Sequence, residues 1–366
     1  MNPGFLEILK APADERRDLF LGAARRLGTP EENIEKDFWV CWILDALFNG
    51  LKEGGPRLLF KGGTSLSKAY ALISRFSEDI DITVFRHDLG QSVSIADLEA
   101  QNGKKRRARL DAIKRACQEF IQGSLYGMMA KLVALTMAEA HIDPAKARLM
   151  LDEDDPDRQS ILFWYPSVAA HQAGYIRPAV KIEAGAKSAL EPHEEVTIHP
   201  FVADEIPQRS LAVLNLTTVV PERSFWDKVV MLHGLRHWYE RRGVLRHQGE
   251  RVSRHYYDVH SMLLSGKIEK ALSDFDLGRD CVRHAQMFFG SPDLDLESAH
   301  PGSFALAPGE GMIGDLRRDY ERMAGMIIGP VPAFESVIQS VRTLEEHLNG
   351  NPQDEGKESW WAGPFP

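Results

Sequence analysis

LLFKGGTSLSKAYALISRFSEDIDITVF, residues 58–85, is the stretch whose reading decides the fold. Leu58, Leu59 and Phe60 read as a short buried strand that runs into a glycine turn, Gly62 and Gly63. An amphipathic helix is expected next, because Leu66, Ala69, Tyr70 and Ile73 recur at the 3–4 spacing of one apolar face. A second strand then alternates strictly: Ile80, Ile82 and Val84 point one way, Asp79 and Asp81 the other.

Two carboxylates at i and i+2 on a strand stand side by side, close enough to share a divalent metal ion. Gly62 and Gly63 leave backbone N–H groups open at a helix N-terminus, where unpaired donors and the helix dipole attract phosphate. Phosphoryl or nucleotidyl transfer is the reaction class that needs both, because metal ions clamp the attacking and leaving oxygens. Alone, a DxD is commonly a solvated turn or edge, and a glycine pair only a turn. Their order, strand–GGT–helix–strand–DxD, carries the reading. No GxxxxGK[ST] occurs, so this is not a P-loop.

Working outward, residues 13–28 read as a helix ended by Gly28. A second helix is expected from the capping box Thr29-Pro30-Glu31-Glu32 to Asn49-Gly50, with Phe38, Trp39, Trp42, Ile43 and Leu47 on its core face. Residues 87–103 read as a polar connection. Lys104, Lys105, Arg106, Arg107, Arg109, Lys114 and Arg115 then crowd one helix, either as a solvated face or as a contact for a nucleic-acid backbone. Another helix is expected over 124–140. The acidic run 152–157 reads as a solvated loop. Strand signals follow at 161–165, 179–183, 196–201 and 211–217. In the second of these, Val180 and Ile182 face the core and Lys181 and Glu183 face away, so Glu183 is the candidate third carboxylate. Its alternative is a cross-strand salt bridge. Lys187, four residues on, either reaches a triphosphate or sits in solvent.

Pro221 opens a helix with the apolar stripe Phe225, Val229 and Leu232, and Lys228 lies inside that stripe. A lysine is rarely buried unless paired, so Lys228 either snorkels or is aimed at a buried anion, such as the triphosphate of a nucleotide. Arg236, Arg241, Arg242, Arg246, Arg251 and Arg254 interleave with histidines and aromatic residues. That mixture suits single-stranded RNA, or else a solvated loop. Asp258 lies between His255 and Met262 on one helical face, where it would orient Lys228 or act as a base, with Arg254 pairing to it or to phosphate. Further helices are expected near 312–325 and 332–348. The tail carries Trp360, Trp361 and Phe365 and reads as a docking patch.

Composition narrows the class. The chain has 366 residues, 43% hydrophobic content and a formal charge of −9, which argues against a protein that coats nucleic acid but leaves room for a local basic surface. Its 3 cysteines stand far apart with no CxxC, so neither a disulfide framework nor a zinc site is suggested. No apolar run resembles a signal peptide or reaches the ~18 residues of a membrane helix, so a cytoplasmic location without membrane contact is expected.

Five ordered blocks, KGGTSLSK, RFSEDID, VKIEAGAKS, PERSFWDKVVMLHGL and SRHYYDVHSM, resemble the AbiEii/AbiGii toxin family of nucleotidyltransferases. The wider superfamily is that of DNA polymerase beta, with the pattern hG[GS], then [DE]h[DE]h, then a third carboxylate on a later strand. Gly62, Gly63, Asp79 and Asp81 fit it; Thr64 with Ser65 behind it departs from it, leaving open which hydroxyl takes the usual serine role. The resemblance implies the toxin half of a bacterial toxin–antitoxin or phage-defence pair, with a cognate antitoxin. It implies an NTP donor and an RNA acceptor, in related toxins the tRNA 3′ end. Lys228 matches the lysine of the fourth block and Asp258 the acid of the fifth.

The expectation is therefore an α+β protein. Residues 1–220 would hold a polymerase-beta-like mixed sheet flanked by helices, 221–350 a helical C-terminal domain and 351–366 a tail. Asp79, Asp81 and Glu183 would bind Mg²⁺ or Mn²⁺. Gly62, Gly63, Thr64, Ser65, Lys68, Ser77 and Lys187 would contact the nucleotide, with Lys228 neutralising the leaving pyrophosphate beside Asp258. Arg236, Arg241, Arg242 and Arg254 would contact RNA. The rival functions are a small-molecule nucleotidyltransferase of the antibiotic-modifying type and a non-catalytic binding subunit; the intact DxD argues against the latter.

Overall fold

Alternating apolar and polar positions build a seven-stranded mixed sheet in the order β3 (Arg148–Leu151), β4 (Ser160–Trp164), β5 (Ala179–Gly185), β2 (Asp79–Val84), β1 (Leu58–Lys61), β7 (Val213–Val219), β6 (His193–Ile198). The computed structural model describes residues 1–51, 54–77, 79–169, 177–246 and 251–350. Two units make up the chain: Met1–Ala71 with Arg75–Val220, and Leu72–Ser74 with the chain from Pro221 on.

In the first unit, β2 pairs with β5 and β1 with β7 in parallel, and the other neighbours are antiparallel. Ile80, Ile82, Val180 and Ile182 are fully buried, so the opposite, polar side of β2 and β5 is left for Asp79, Asp81, Lys181 and Glu183. Helices α1 (Pro3–Lys10), α2 (Ala13–Leu27) and α3 (Glu31–Asp45) precede the sheet, and α4 (Gly62–Lys68) links β1 to β2. Then come α5 (Ile95–Glu99), α6 (Gly103–Phe120) and α7 (Tyr126–Glu139), with a π turn at Ile121–Leu125 between the last two. Gly28 ends α2 in the left-handed conformation, φ 63°.

Helix α3 is buried on all sides, every residue from Asn33 to Asp45, where one core face was expected. Trp39 stacks on Tyr165 and Trp42 on Phe163, each pair 5.6 Å apart. Its buried acids are satisfied by distant partners, as burial requires. Glu35 accepts from Ser167 Oγ at 2.5 Å and Val168 N at 2.7 Å; Asp45 accepts from Asn2 N at 2.7 Å. The expected capping box does not form. Pro30 is the N-cap, and Thr29 Oγ1 instead accepts from Asn33 Nδ2 at 2.8 Å.

Three other expectations need correction. Helix α4 stops at Lys68 instead of running to Ile73, because Ala71 turns left-handed at φ 49° and Leu72–Ser74 belongs to the second unit. The polar connection after β2 contains α5, held by a Ser94/Asp97 capping box. Helix α1 and edge strand β3 were not foreseen. The four strands expected after residue 160 are all present, with ends shifted by a few residues.

The second unit is helical: α8 (Pro221–Arg242), α9 (Ser253–Leu264), α10 (Glu269–Ser273), α11 (Phe275–Phe289), α12 (Glu310–Met323) and α13 (Phe334–Asn349). Phe225, Trp226, Val229 and Leu232 of α8 are buried, and Trp226 Nε1 donates to Ala271 O at 2.9 Å. The tail 351–366 and its aromatic residues lie outside the described residues. Among the described residues no helix is long and apolar enough to cross a membrane.

His233, fully buried in α8, accepts the Ala305 N–H on Nδ1 at 3.1 Å, which leaves Nε2 to donate to Asp295 O at 3.0 Å. Burial lowers its pKa below the ordinary 6.5, and does the same to His260 and His347. With folded values below the unfolded one, the unfolded chain binds protons first as pH falls. The stability these histidines contribute is complete above about pH 6.5 and is lost as pH falls through their folded values. We expect the urea midpoint of the second unit to drop when pH is lowered from about 7.5 to about 5.5, and the drop to shrink in His233→Asn. A midpoint that stays constant over that range would contradict the assignment.

Candidate active site

Strand β1 delivers the chain to Gly62, whose φ is 78°. A Cβ at this position would lie 2.0 Å from Asp81 Oδ2, so only glycine lets that carboxylate lie directly on the backbone. A Cβ at Gly63 would meet Arg75 Nη2 at 2.6 Å and Ser77 Oγ at 3.0 Å. One glycine corner is thus covered by a carboxylate, a guanidinium and a hydroxyl.

Register places the other groups. Lys61 pairs with Asp81, Asp81 with Glu183, and Glu183 with Ser160, giving one polar row across β1, β2, β5 and β4. Asp79 stands beside Lys181 in an adjacent row. Strands lie roughly 4.8 Å apart, so these side chains are immediate neighbours. Lys61 Nζ is 3.7 Å from Asp81 Oδ1, and Lys181 Nζ is 2.8 Å from Glu183 Oε1 and 3.1 Å from Asp152 Oδ2. Burial works against the Lys181 ammonium, but Glu183 and Asp152 outweigh it and hold its pKa above the usual lysine range.

Glu183 therefore lies on the face that alternation gives it and, by register, opposite Asp81, but its ion pair is with Lys181 on its own strand. Among the described residues no group of three or more His, Cys, Asp or Glu is gathered closely enough to hold a metal ion. The donor set itself fits a hard divalent cation, since Asp79, Asp81 and Glu183 offer only oxygen. Glu183 would have to give up Lys181, which has a second carboxylate in Asp152.

The expected nucleotide contacts divide. Thr64 Oγ1 donates to Asp79 O at 2.5 Å and Ser65 Oγ to Gly62 O at 2.9 Å, and both residues are buried. Both hydroxyl protons are committed to backbone in this structure: Thr64 pins the corner to β2, and Ser65 closes the first turn of α4. Lys68 is also held internally. Its Nζ is 2.5 Å from Asp37 Oδ1 and 3.6 Å from the Phe201 ring centre, with 6% of its side chain exposed. Burial pushes the Asp37 carboxyl up, against the pull of Lys68 and of the Phe201 N–H. Ser77 stays half-buried beside Gly63, and Lys187 is half-buried in the turn after β5, where Arg86 Nη1 donates to Ser188 O at 2.9 Å. Arg75, Lys61 and Lys181 were given no role from sequence. Arg75 opens the block RFSEDID, and Lys181 shares the polar alternation of Glu183, which are the signals that mark them.

Gly62→Ala follows as a prediction. The left-handed backbone costs a β-carbon about 1–2 kcal/mol, and the new carbon displaces the Asp81 carboxylate. A misplacement of ~1 Å at a reacting centre costs up to about a hundredfold in rate. We expect a modest fall in melting temperature and a tenfold or greater fall in nucleotide transfer. Wild-type transfer in this variant would show that the Asp81–Gly62 contact does not matter.

In the second unit, Lys228 Nζ lies 2.7 Å from Asp258 Oδ2, with the lysine 8% exposed and the aspartate fully buried. The anion facing Lys228 in this structure is thus Asp258. Among the described residues Arg254 does not bond to that carboxylate, and its Nε is buried with no hydrogen-bond partner.

The expected RNA set is otherwise engaged internally. Arg236 donates to Glu240 and to Ala307 O at 2.5 Å each. Arg241 bonds to Pro292 O, and Arg242 lies 2.5 Å from Asp293. Acids of the 292–295 turn thus lie against Arg241 and Arg242, and Arg236 is held by Glu240 and Ala307, so each of the three has an internal partner in this structure.

Among curated proteins none matches the chain. Among solved structures, the nucleotidyltransferase toxin MenT4 of Mycobacterium tuberculosis H37Rv is similar, with 16% identity and a TM-score of 0.48 over 92% of this chain and 91% of that one. The family described as nucleotidyl transferase AbiEii toxin, of type IV toxin–antitoxin systems, matches residues 43–343, which span β1, the glycine corner, Asp79, Asp81 and Glu183 and run on to α13. A match over most of its length places this chain in the AbiEii family of nucleotidyltransferase toxins.

Proposed function

We propose that the protein transfers an NMP group from an NTP to an RNA acceptor, the 3′ end of tRNA, on the polar face of β2 and β5. The acceptor hydroxyl attacks the α-phosphorus and releases its proton to water, the bond from that phosphorus to the bridging oxygen breaks, and pyrophosphate leaves. Asp79 and Asp81, joined by Glu183, would hold Mg²⁺ or Mn²⁺, which when bound offsets charge on the attacking and leaving oxygens. Lys61 and Lys181 keep cationic charge on the same face, so a polyanionic substrate does not meet bare carboxylates. Asp81 laid on Gly62, in register with Glu183, is the observation that carries this reading. Blocking tRNA ends would arrest growth, which suits a toxin restrained by a cognate antitoxin and used in phage defence.

The test offers each α-³²P-labelled NTP with divalent metal to purified protein, with total tRNA in one arm and aminoglycosides in the other. Label in tRNA supports the proposal. Label in the small molecule alone rejects the RNA acceptor, and no label in either arm favours a binding subunit.

A further inference from the structure

We infer that the outer face of α6 is a docking surface for the phosphate backbone of the RNA acceptor. The inference rests on the RNA acceptor proposed above, and names where that RNA is held. Residues 104–115 carry seven cationic side chains and one acid, Asp111, in a chain whose formal charge is −9. Lys104, Arg107 and Arg115 lie on the face opposite the buried Ile113, Cys117 and Phe120, with the exposed Asp111 between Arg107 and Arg115, and Lys105 flanks them. All four are exposed, and among the described residues none of their side chains has a hydrogen-bond or ion-pair partner.

The placement works against the helix itself. The first turn of α6 has no acid, and its cations face the positive end of the macrodipole and one another. Only Asn102, accepting from Lys105 N at 3.0 Å, caps that end. A polyanion laid along this face would relieve both repulsions. Lys104, Lys105 and Arg107 concentrate the charge on the first turns and Arg115 extends it along the axis, a spread that suits a nucleic-acid backbone better than a compact anion.

The rest of the helix is tied to the candidate site. Lys114 pairs with Asp157, Gln118 Nε2 donates to Asp157 O at 2.6 Å, and Gln122 Nε2 to Arg158 O at 2.9 Å. These residues end the turn that leads into Ser160, the register partner of Glu183, and Ala184 N donates to Gln159 O at 3.1 Å. Arg109 holds the middle of α6 to Gln91 and Ser92. Lys104 lies about 15 Å along the axis from Lys114, at ~1.5 Å per residue. The C-terminal end of the helix is thus bonded to the turn from which Ser160 enters the acidic row.

The test compares full-length wild type with Lys104→Glu/Lys105→Glu/Arg107→Glu and with the milder Lys104→Gln/Lys105→Gln/Arg107→Gln. Binding to fluorescent tRNA is followed by anisotropy over a salt series, and circular dichroism confirms folding. Losing three phosphate contacts flattens the log K against log salt slope by about 2, at ~0.7 per contact. We expect that change in both variants and at least a tenfold loss of affinity in the charge-reversed one. Unchanged affinity and slope overturn the proposal, as does wild type that binds no tRNA. Loss of binding only to vesicles containing phosphatidylserine also overturns it, in favour of a membrane surface. If both variants lose tRNA while wild type labels only a small molecule, the docking surface stands and the proposed acceptor chemistry falls.

Discussion

Asp81→Asn is expected to lower nucleotide transfer about a thousandfold while shifting the melting temperature little. The asparagine keeps the shape that fits over Gly62, where any added carbon would be refused. What it loses is charge. An amide is a poor ligand for a hard cation, and metal stabilisation of a phosphoryl transition state is worth several kcal/mol, with each ~1.4 kcal/mol a factor of ten. The structural loss is small, because Lys61 lies 3.7 Å away and both side chains are more than a quarter exposed. Transfer assays, and growth of a host cell expressing the variant, read the two effects apart from melting. Toxicity equal to that of wild type would favour a protein that acts by binding alone.

Asp258→Ala is expected to destabilise the second unit by about 3–5 kcal/mol, since it strips a buried ammonium of its counter-charge at 2.7 Å. Replacing the pair together, as Lys228→Met with Asp258→Leu, should recover most of that loss, because neither charge then remains in the interior. Urea unfolding of the single and double variants measures both. A single variant as stable as wild type would mean that Lys228 reaches water once the carboxylate is gone. A double variant no better than the single one would mean that packing, not charge, holds the two helices.

What could be read from the chain is what local pattern dictates. Ile80, Ile82 and Val84 alternating with acids specify a half-buried strand, and Gly62 before a helix specifies a sharp corner. The same alternation put Glu183 on the face of Asp81, which the register then placed directly opposite. Distant partners hid the rest. Nothing near Lys68 announces Asp37 beneath it, and the hydroxyls of Thr64 and Ser65 look free until the fold brings Asp79 O and Gly62 O to them. The arginines of α8 look like an open cationic surface because Asp293 and Asp295 arrive some fifty residues later. Helix α3 looked amphipathic because its acids find partners far along the chain, Glu35 with Ser167 being 132 residues apart. Lys181 was visible as a neighbour of Glu183, but an ion pair along one strand is a choice of rotamer that alternation does not fix.

The most direct measurement is single-turnover transfer from an α-³²P-labelled NTP to tRNA by wild type and by Asp79→Asn/Asp81→Asn, at equal concentration and with matched melting temperatures. Label in the RNA with wild type and background label with the double variant is the result the account predicts. Equal labelling by the two proteins would contradict it, whichever family the chain belongs to.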